Sequence, residues 1–239
     1  MIVVNRVPLS DLSDHTQSVL KLRTKKRTPW ECRKPSNLCD QEINNKLKAC
    51  FSEKCGYCER PGHSIDHFRP RYLDRKSNPK PWSRTWNWNN FIWACAECQK
   101  HKGSKSYGFI DPSKEDPLEF LWICPTTGMI EGLTPKGKIT VKALQLDIPL
   151  RSSRRRKIAA IIGWAELLVG ENPDMDPKRR KKHKKRLLEG LFREELYLGT
   201  FRYLLLKGKG KKHKLMVKLL DEFPEIRTVV NEWLYPNIT

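Results

Sequence analysis

Cys55-Gly56-Tyr57-Cys58 and Cys95-Ala96-Glu97-Cys98 are two C-x2-C pairs in one chain. The turn within such a pair folds both sulfurs to one side, so two pairs can present four thiolates to a single tetrahedral zinc ion. Buried thiols without metal are the poorer explanation, because closely spaced pairs in a reducing compartment bind metal more often than each other. The stretch between the pairs is longer than a simple zinc ribbon requires, and it holds Ile65-Asp66-His67-Phe68 and Trp88-Asn89-Asn90-Phe91. Zinc would therefore frame an insert that carries an imidazole able to accept a proton near neutral pH and a carboxylate offering hard oxygen to a cation. A lone histidine is ordinarily structural; the weight given to His67 comes from its setting.

Asp66-His67 followed by Pro70, Asn90 ahead of Cys95, and Cys98 with Lys102-Gly103 behind it resemble the HNH nuclease family and its ββα-metal fold. The resemblance covers Cys55 to Gly103, about a fifth of the chain. It implies a hairpin packed on a short helix, with His67 ending the first strand, Asn90 starting the second, and Cys98 to Lys102 on the helix. It also implies hydrolysis of phosphodiester bonds, with DNA as the first substrate to consider. In that reading His67 is the general base, Asn90 orients it through a hydrogen bond, and Asp66 is a ligand to a catalytic Mg2+ or Mn2+ acting as Lewis acid at the scissile phosphate. Directly after the second cysteine pair the family usually has His or Asn, whereas Gln99 stands here. His101 is the favoured second protein ligand, and Gln99 is the alternative.

Asp116-Pro117-Leu118-Glu119-Phe120-Leu121, Thr127-Gly128 and the segment Leu144 to Arg151 are similar to HNH proteins of bacterial anti-phage systems of the Septu type. That similarity implies a nuclease subunit working beside an ATPase of the ABC/SMC-like kind.

The 239 residues carry a formal net charge of +20, with a pI near 9.7. Such a charge attracts polyanions, because each cation near a phosphate releases a condensed counterion. Double-stranded DNA is the expected partner. Membrane is not: no apolar run is long enough to span a bilayer, and Met1 to Ser10 reads as neither signal peptide nor lipidation site. Eight cysteines without an export signal point to a reducing cytoplasm. Cys32, Cys39, Cys50 and Cys124 lack paired spacing and are expected to pack as small apolar groups. His63 is expected to face solvent or substrate. Trp88 and Trp93 are expected in the core, with Trp82 and Trp86 open between core and base stacking.

The run from Lys178 to Arg186 mixes no acid with its cations: Lys178, Arg179, Arg180, Lys181, Lys182, Lys184, Lys185 and Arg186. Positive charge early in a helix opposes the helix dipole, so phosphate contact is a better account of it than a solvated face. Lys100, Lys102 and Lys105, beside the second cysteine pair, are further candidates for nucleic-acid contact. Lys207 to Lys214 reads as a flexible basic loop.

The elements that must hold these groups give an α+β chain, a small zinc-stapled module with predominantly helical extensions at both ends. Residues 1–50 form an accessory helical segment, 51–110 the module, and 111–239 a region of strands and then helices. Asp40 is the expected N-cap of a helix burying Ile43, Leu47 and Phe51. Strands are expected at Leu118 to Cys124 and Met129 to Leu133, turning at Thr127-Gly128, and again at Lys138 to Leu146. Ile158, Ile161, Ile162, Ala165, Leu168 and Val169 share one helical face, with Ser152 or Ser153 as cap. Asp176-Pro177 opens a helix expected to run to Leu206, and Leu215 to Trp233 is helical with a break at Pro224. The rival to a nuclease is a non-catalytic, zinc-dependent nucleic-acid binder, for which the trio Asp66, His67 and Asn90 would have no purpose.

Overall fold

The computed structural model describes residues 8–26, 28, 30, 33–34, 37–71, 82–105, 108–169, 175–191, 197–207 and 210–234, with helices and strands numbered here in chain order. α1 (Asp14–Lys25) begins where the Ser13 hydroxyl accepts from the Thr16 N–H, and Glu42 of α2 (Leu38–Cys50) reaches across to accept from the same hydroxyl. Asn37, not Asp40, caps α2: its side chain accepts from the Cys39 N–H at 2.9 Å. Asp40 instead lies fully buried in the first turn, paired with Arg23 at 2.6 Å and Arg33 at 3.6 Å. A carboxylate there is tolerated because both guanidinium groups replace the water it loses. Ile43, Leu47 and Phe51 do share the buried side of this helix.

β1 (Ser64–His67) and β2 (Phe91–Ala94) pair antiparallel, with Ser64 opposite Ala94 and His67 opposite Phe91. The single turn α3 (Trp82–Thr85) precedes β2, and α4 (Ala96–Lys102) follows it directly. Gly62 is required beside this hairpin, since a Cβ would lie 2.3 Å from the Trp93 ring. The second sheet pairs β3 (Leu121–Ile123) with β4 (Ile130–Gly132). The third expected strand is a helix, α5 (Pro135–Ala143). The Thr134 hydroxyl accepts from the Gly137 N–H, and Pro135 stands at N1, so a cap and a preset φ outweigh the β-branched Ile139, Thr140 and Val141. α5 packs so closely on β4 that a Cβ at Gly132 would sit 2.1 Å from the Lys138 nitrogen.

α6 (Ile148–Val169) starts a turn earlier than Ser152 or Ser153 would place it. α7 (Pro177–Leu191) opens at Asp176-Pro177 as expected but ends at Leu191, and α8 (Leu198–Lys207) is a separate helix. α9 (Lys211–Glu222) and α10 (Pro224–Leu234) divide at Pro224. Because α8 runs through Lys207 and α9 begins at Lys211, most of the expected basic loop is helical.

The fold is thus α+β and mostly helical, with two small antiparallel sheets. Its apolar side chains gather in two clusters. The first holds the hairpin, the cysteine pairs, α2 and the second sheet, and runs from Leu12 to Tyr203. The second joins α6 to α10 through Ile158, Ile162, Leu187, Phe201, Met216 and Val230. α8 serves both, with Tyr203 in the first and Leu198, Phe201 and Leu204 in the second. Among the described residues no helix is long and apolar enough to cross a membrane.

Candidate functional site

The two cysteine pairs meet. Cys55 and Cys58 lie in a tight knuckle ahead of β1, where Glu59 adopts φ +66°; Cys95 caps α4, its sulfur accepting from the Cys98 N–H at 3.5 Å. All four sulfurs are buried and within 4.8 Å of one another, with Cys58 and Cys95 at 3.7 Å. A tetrahedron with zinc–sulfur bonds of ~2.3 Å has edges of ~3.8 Å, so the donors and spacing fit zinc. Hydrogen bonds from Cys55, Cys58 and Cys98 push the Cys95 thiol strongly down, and the Arg60 guanidinium lies 3.8 Å from its sulfur. Among the described residues this is the single cluster of three or more His, Cys, Asp or Glu side chains close enough to share a metal ion.

The hairpin carries the second half of the site. Asp66, His67, Gln99 and Lys102 line one cleft of about 360 Å³, together with Trp30 and Arg71. His67 is 7 % exposed, and its ring meets Trp30 edge-on at 4.5 Å and Phe91 at 5.3 Å. Its Nε2 lies 2.9 Å from the Thr85 carbonyl, an acceptor only, so Nε2 bears the proton and Nδ1 is left as the base. Burial depresses the imidazole to about 4, against the Thr85 carbonyl, and the nearby cations Arg71, Lys102 and Arg33 lower it further. The ring is therefore neutral at physiological pH.

Asn90 is buried in the same layer but does not bond His67. Its amide donates to the carbonyls of Arg69 and Arg84, each at 2.9 Å, and its oxygen accepts from the Arg69 N–H at 2.8 Å. The expected direct bond is replaced by a relay: Asn90 fixes Arg84, and Thr85 beside it supplies the carbonyl that fixes the ring.

Asp66 accepts from the Tyr57 hydroxyl at 2.7 Å and pairs with Lys102 at 3.1 Å. Burial raises its carboxyl above the ordinary value, with Lys102 and Tyr57 opposing. Tyr57 sits between the two knuckle cysteines, and burial pushes its phenol well up, so it remains a neutral donor. Lys102 is 1 % exposed and also donates to the His67 carbonyl at 2.8 Å. It is an internal strut, not the surface cation expected from sequence, whereas Lys100 and Lys105 are exposed.

Gln99 lines the cleft, its amide nitrogen anchored on the Ser64 hydroxyl at 2.8 Å. His101 does not line it, because two residues along an α-helix turn a side chain by ~200°. Of the two expected ligand sets, Asp66 with His101 is not brought together, while Asp66 with Gln99 shares one wall. Two oxygen-bearing groups suit a hard cation that keeps most of its water. The Lys102 ammonium beside Asp66 weakens the attraction.

His63 is exposed, as expected. Trp88 and Trp93 are buried, and so is Trp86, whose indole donates to the Thr28 carbonyl at 2.7 Å beneath the Arg23 guanidinium. Cys39 and Cys50 are buried and Cys124 is half-buried. Cys32 and the side chain of Trp82 lie outside the described residues.

α7 splits its cations. Arg180 and Lys184 lie over the Phe223 ring, each at 5.7 Å, and Lys184 pairs with Glu225 of α10. Lys178, Arg179, Lys181, Lys182, Lys185 and Arg186 are exposed, with Lys185 3.8 Å from Glu189.

Sequence reasoning missed Trp30, Tyr57, Arg71 and the Thr85 carbonyl. Tyr57 had a signal, since a tyrosine locked inside a metal knuckle is buried and must find a partner for its hydroxyl. Nothing in the side-chain pattern marks a backbone carbonyl.

No family model matches the chain, and no solved structure matches it. The chain is similar to the Septu protein PtuB of Bacillus mycoides (strain KBAB4), 28% identical over a 153-position alignment that covers 50% of this chain and 52% of that protein, so it spans about half the length of this curated relative.

Proposed function

We propose that this chain is an HNH-type endonuclease that hydrolyses phosphodiester bonds in DNA, as the nuclease subunit of a cytoplasmic Septu-like anti-phage complex with a PtuA-like, ABC/SMC-type ATPase. The observation that carries the reading is the setting of His67: a buried, neutral imidazole, proton-bearing on Nε2 toward Thr85, in a cleft shared with Asp66, on a hairpin followed directly by a helix and framed by four cysteines. A non-catalytic binder has no use for a base held in one tautomer. The similarity to a Septu protein supports the defence assignment.

In this mechanism a phosphodiester enters the cleft and its negative charge raises the His67 imidazole from about 4 toward neutrality, because an anion stabilises imidazolium. Nδ1 then takes a proton from water as the oxygen attacks phosphorus. Thr85 keeps the ring from rotating. Arg71, on the cleft wall, meets the charge that builds on the phosphoryl oxygens. Lys102 and Tyr57 hold Asp66 in one orientation. Mg2+ or Mn2+ would be held by Asp66 and Gln99, and would supply Lewis acidity at the leaving oxygen. The exposed cations of α7 with Lys100 and Lys105 would hold flanking phosphates without reading bases.

The test is incubation of purified protein with plasmid DNA and Mg2+ or Mn2+, beside His67→Ala. Cutting or nicking by the wild type and its loss in the variant, at equal zinc content, is the expected result. Full activity in the variant removes His67 from the mechanism, and an inert wild type tested with its ATPase partner sinks the nuclease reading.

A further inference from the structure

Beyond the end of β1, a second cleft of about 570 Å³ opens against Phe68. Its floor is apolar, made by Phe68, Phe109, Pro135 and Ile139, and Arg69, Arg84 and Lys136 supply its cations. Lys136 is neutralised, since it pairs with Glu115. The guanidinium groups of Arg69 and Arg84 have no acidic partner among the described residues, although acids are available elsewhere to pair with Arg23, Arg33, Arg151, Arg202 and Arg227.

Their pairing is built by the backbone. The Asn90 amide bonds the peptide groups of both residues, donating to Arg69 O and Arg84 O at 2.9 Å and accepting from Arg69 N at 2.8 Å. Asn90 is 6 % exposed, so these bonds are sheltered from water and fix two chain segments 15 residues apart side by side. Arg69 is two residues from His67, and Arg84 adjoins the Thr85 carbonyl that holds the His67 ring. One carboxamide thus sets the general base and two guanidinium groups in a common frame.

We infer that this cleft is a phosphate subsite for the nucleic-acid strand being cut, in which Arg69 and Arg84 grip the phosphate next to the scissile one and the apolar floor takes its sugar or base. Its position beside the scissile phosphate rests on the nuclease reading, whereas nucleic-acid binding itself does not. Guanidinium groups match phosphate oxygens in fork geometry, and aromatic and aliphatic floors accept nucleotides of any sequence. The subsite recognises backbone and not base identity. Asn90 is a positioning residue in this scheme, acting through the backbone of the arginines and of Thr85.

The experiment measures binding of a fluorescent 20-nucleotide single strand and of the same sequence as duplex, by anisotropy over a salt series without added divalent ion, for the full chain, Arg69→Gln/Arg84→Gln, and the control Lys142→Gln on the exposed side of α5. The double variant is expected to flatten the slope of log K against log salt by roughly 0.7 on the single strand or 0.9 on the duplex, one neutralised phosphate in either case. The control should change it little. With Mg2+ added, KM should rise several-fold more than kcat falls, because the contact persists in ground and transition states. An unchanged slope in the double variant overturns the subsite. Loss of binding to a PtuA-like partner with the slope intact also overturns it and gives the arginines to a protein interface. An inert wild type whose slope still flattens in the double variant would remove the nuclease reading and leave the phosphate site standing.

Discussion

The two apolar clusters of this chain are held by different physics. In the helical bundle of α6 to α10, the buried residues Ile158, Ile161, Ile162, Ala165, Leu168 and Val169 fall where a 3.6-residue period puts them, and burial of one stripe against another supplies the stability. Around the hairpin, the strands are three or four residues long, far too short to be stable alone, and the structure depends on four sulfurs, side chain to backbone bonds and buried ion pairs. A bundle of this kind tolerates exchange of one aliphatic side chain for another. A site of the second kind fails when one named atom is removed, and it holds its groups in place for the same reason.

The sharpest way to break the comparison is Cys98→Ser. Zinc in small domains supplies on the order of 10 kcal/mol of folding free energy. Metal analysis should read about one zinc per wild-type chain and none in the variant, and near-ultraviolet circular dichroism from the tryptophans of the first cluster should collapse while helical signal from the bundle persists. Equal zinc in both proteins would defeat the expectation.

Next in size is Arg202→Ala, which cuts the link between the clusters. Arg202 of α8 donates to both oxygens of Asp116 at 2.6 and 2.8 Å. Its loss should cost about 2–3 kcal/mol by urea unfolding, less than a fully buried pair because Asp116 keeps some water. Burial alone would raise the Asp116 carboxyl, and the hydrogen bonds from Arg202 reverse this and hold it below its ordinary value. A depressed carboxylate stabilises the fold above its unfolded value and ceases to as pH falls through the folded one. The gap between wild type and variant should therefore narrow below pH ~4. A gap that widens there would contradict the assignment.

Asn90→Ala sharpens the contrast within the site. Three hydrogen bonds vanish and the Thr85 carbonyl is free to drift, so cleavage should fall ~10- to 100-fold with zinc retained, less than in His67→Ala. A fall as deep as that of His67→Ala would mean that Asn90 touches the reaction directly.

The smallest effect belongs to the surface of α7. Replacing Lys178, Arg179, Lys181 and Lys182 with glutamine should change stability by less than ~0.5 kcal/mol while flattening the salt dependence of duplex binding by ~0.9 per lost contact. Lys184→Gln should do the reverse, since that side chain packs on Phe223 and pairs with Glu225. If all five behave alike, α7 has no division of labour.

One feature of the site and one of the fold were legible in the residues: the cysteine pairs, because tetrahedral ligation constrains spacing, and the bundle stripe, because helical burial is periodic. Asn90 was visible as a residue of interest, but its target was not, since the peptide groups it bonds have no side-chain signature. Lys102 reads as a surface cation in any composition argument. Only the packing of α4 against β1 reveals that Asp66 and the His67 carbonyl enclose it. α5 was misread because alternating Ile139 and Val141 imitate a strand, although Thr134-Pro135 carried the opposite and stronger signal.

α8 has a consequence in time as well as space. The N–H of Gly199 donates to Glu59, at the edge of the cysteine knuckle, across 140 residues of sequence, and Arg202 reaches Asp116 across 86. Contacts that distant close late, because loop entropy must be met before they reward the chain. On the ribosome, the segment bearing Asp66 and His67 emerges long before α8 does. The knuckle's final bracing therefore arrives only when most of the chain has been made, and a nascent fragment that stops short of residue 199 carries every group proposed for cleavage without the helix that buttresses them.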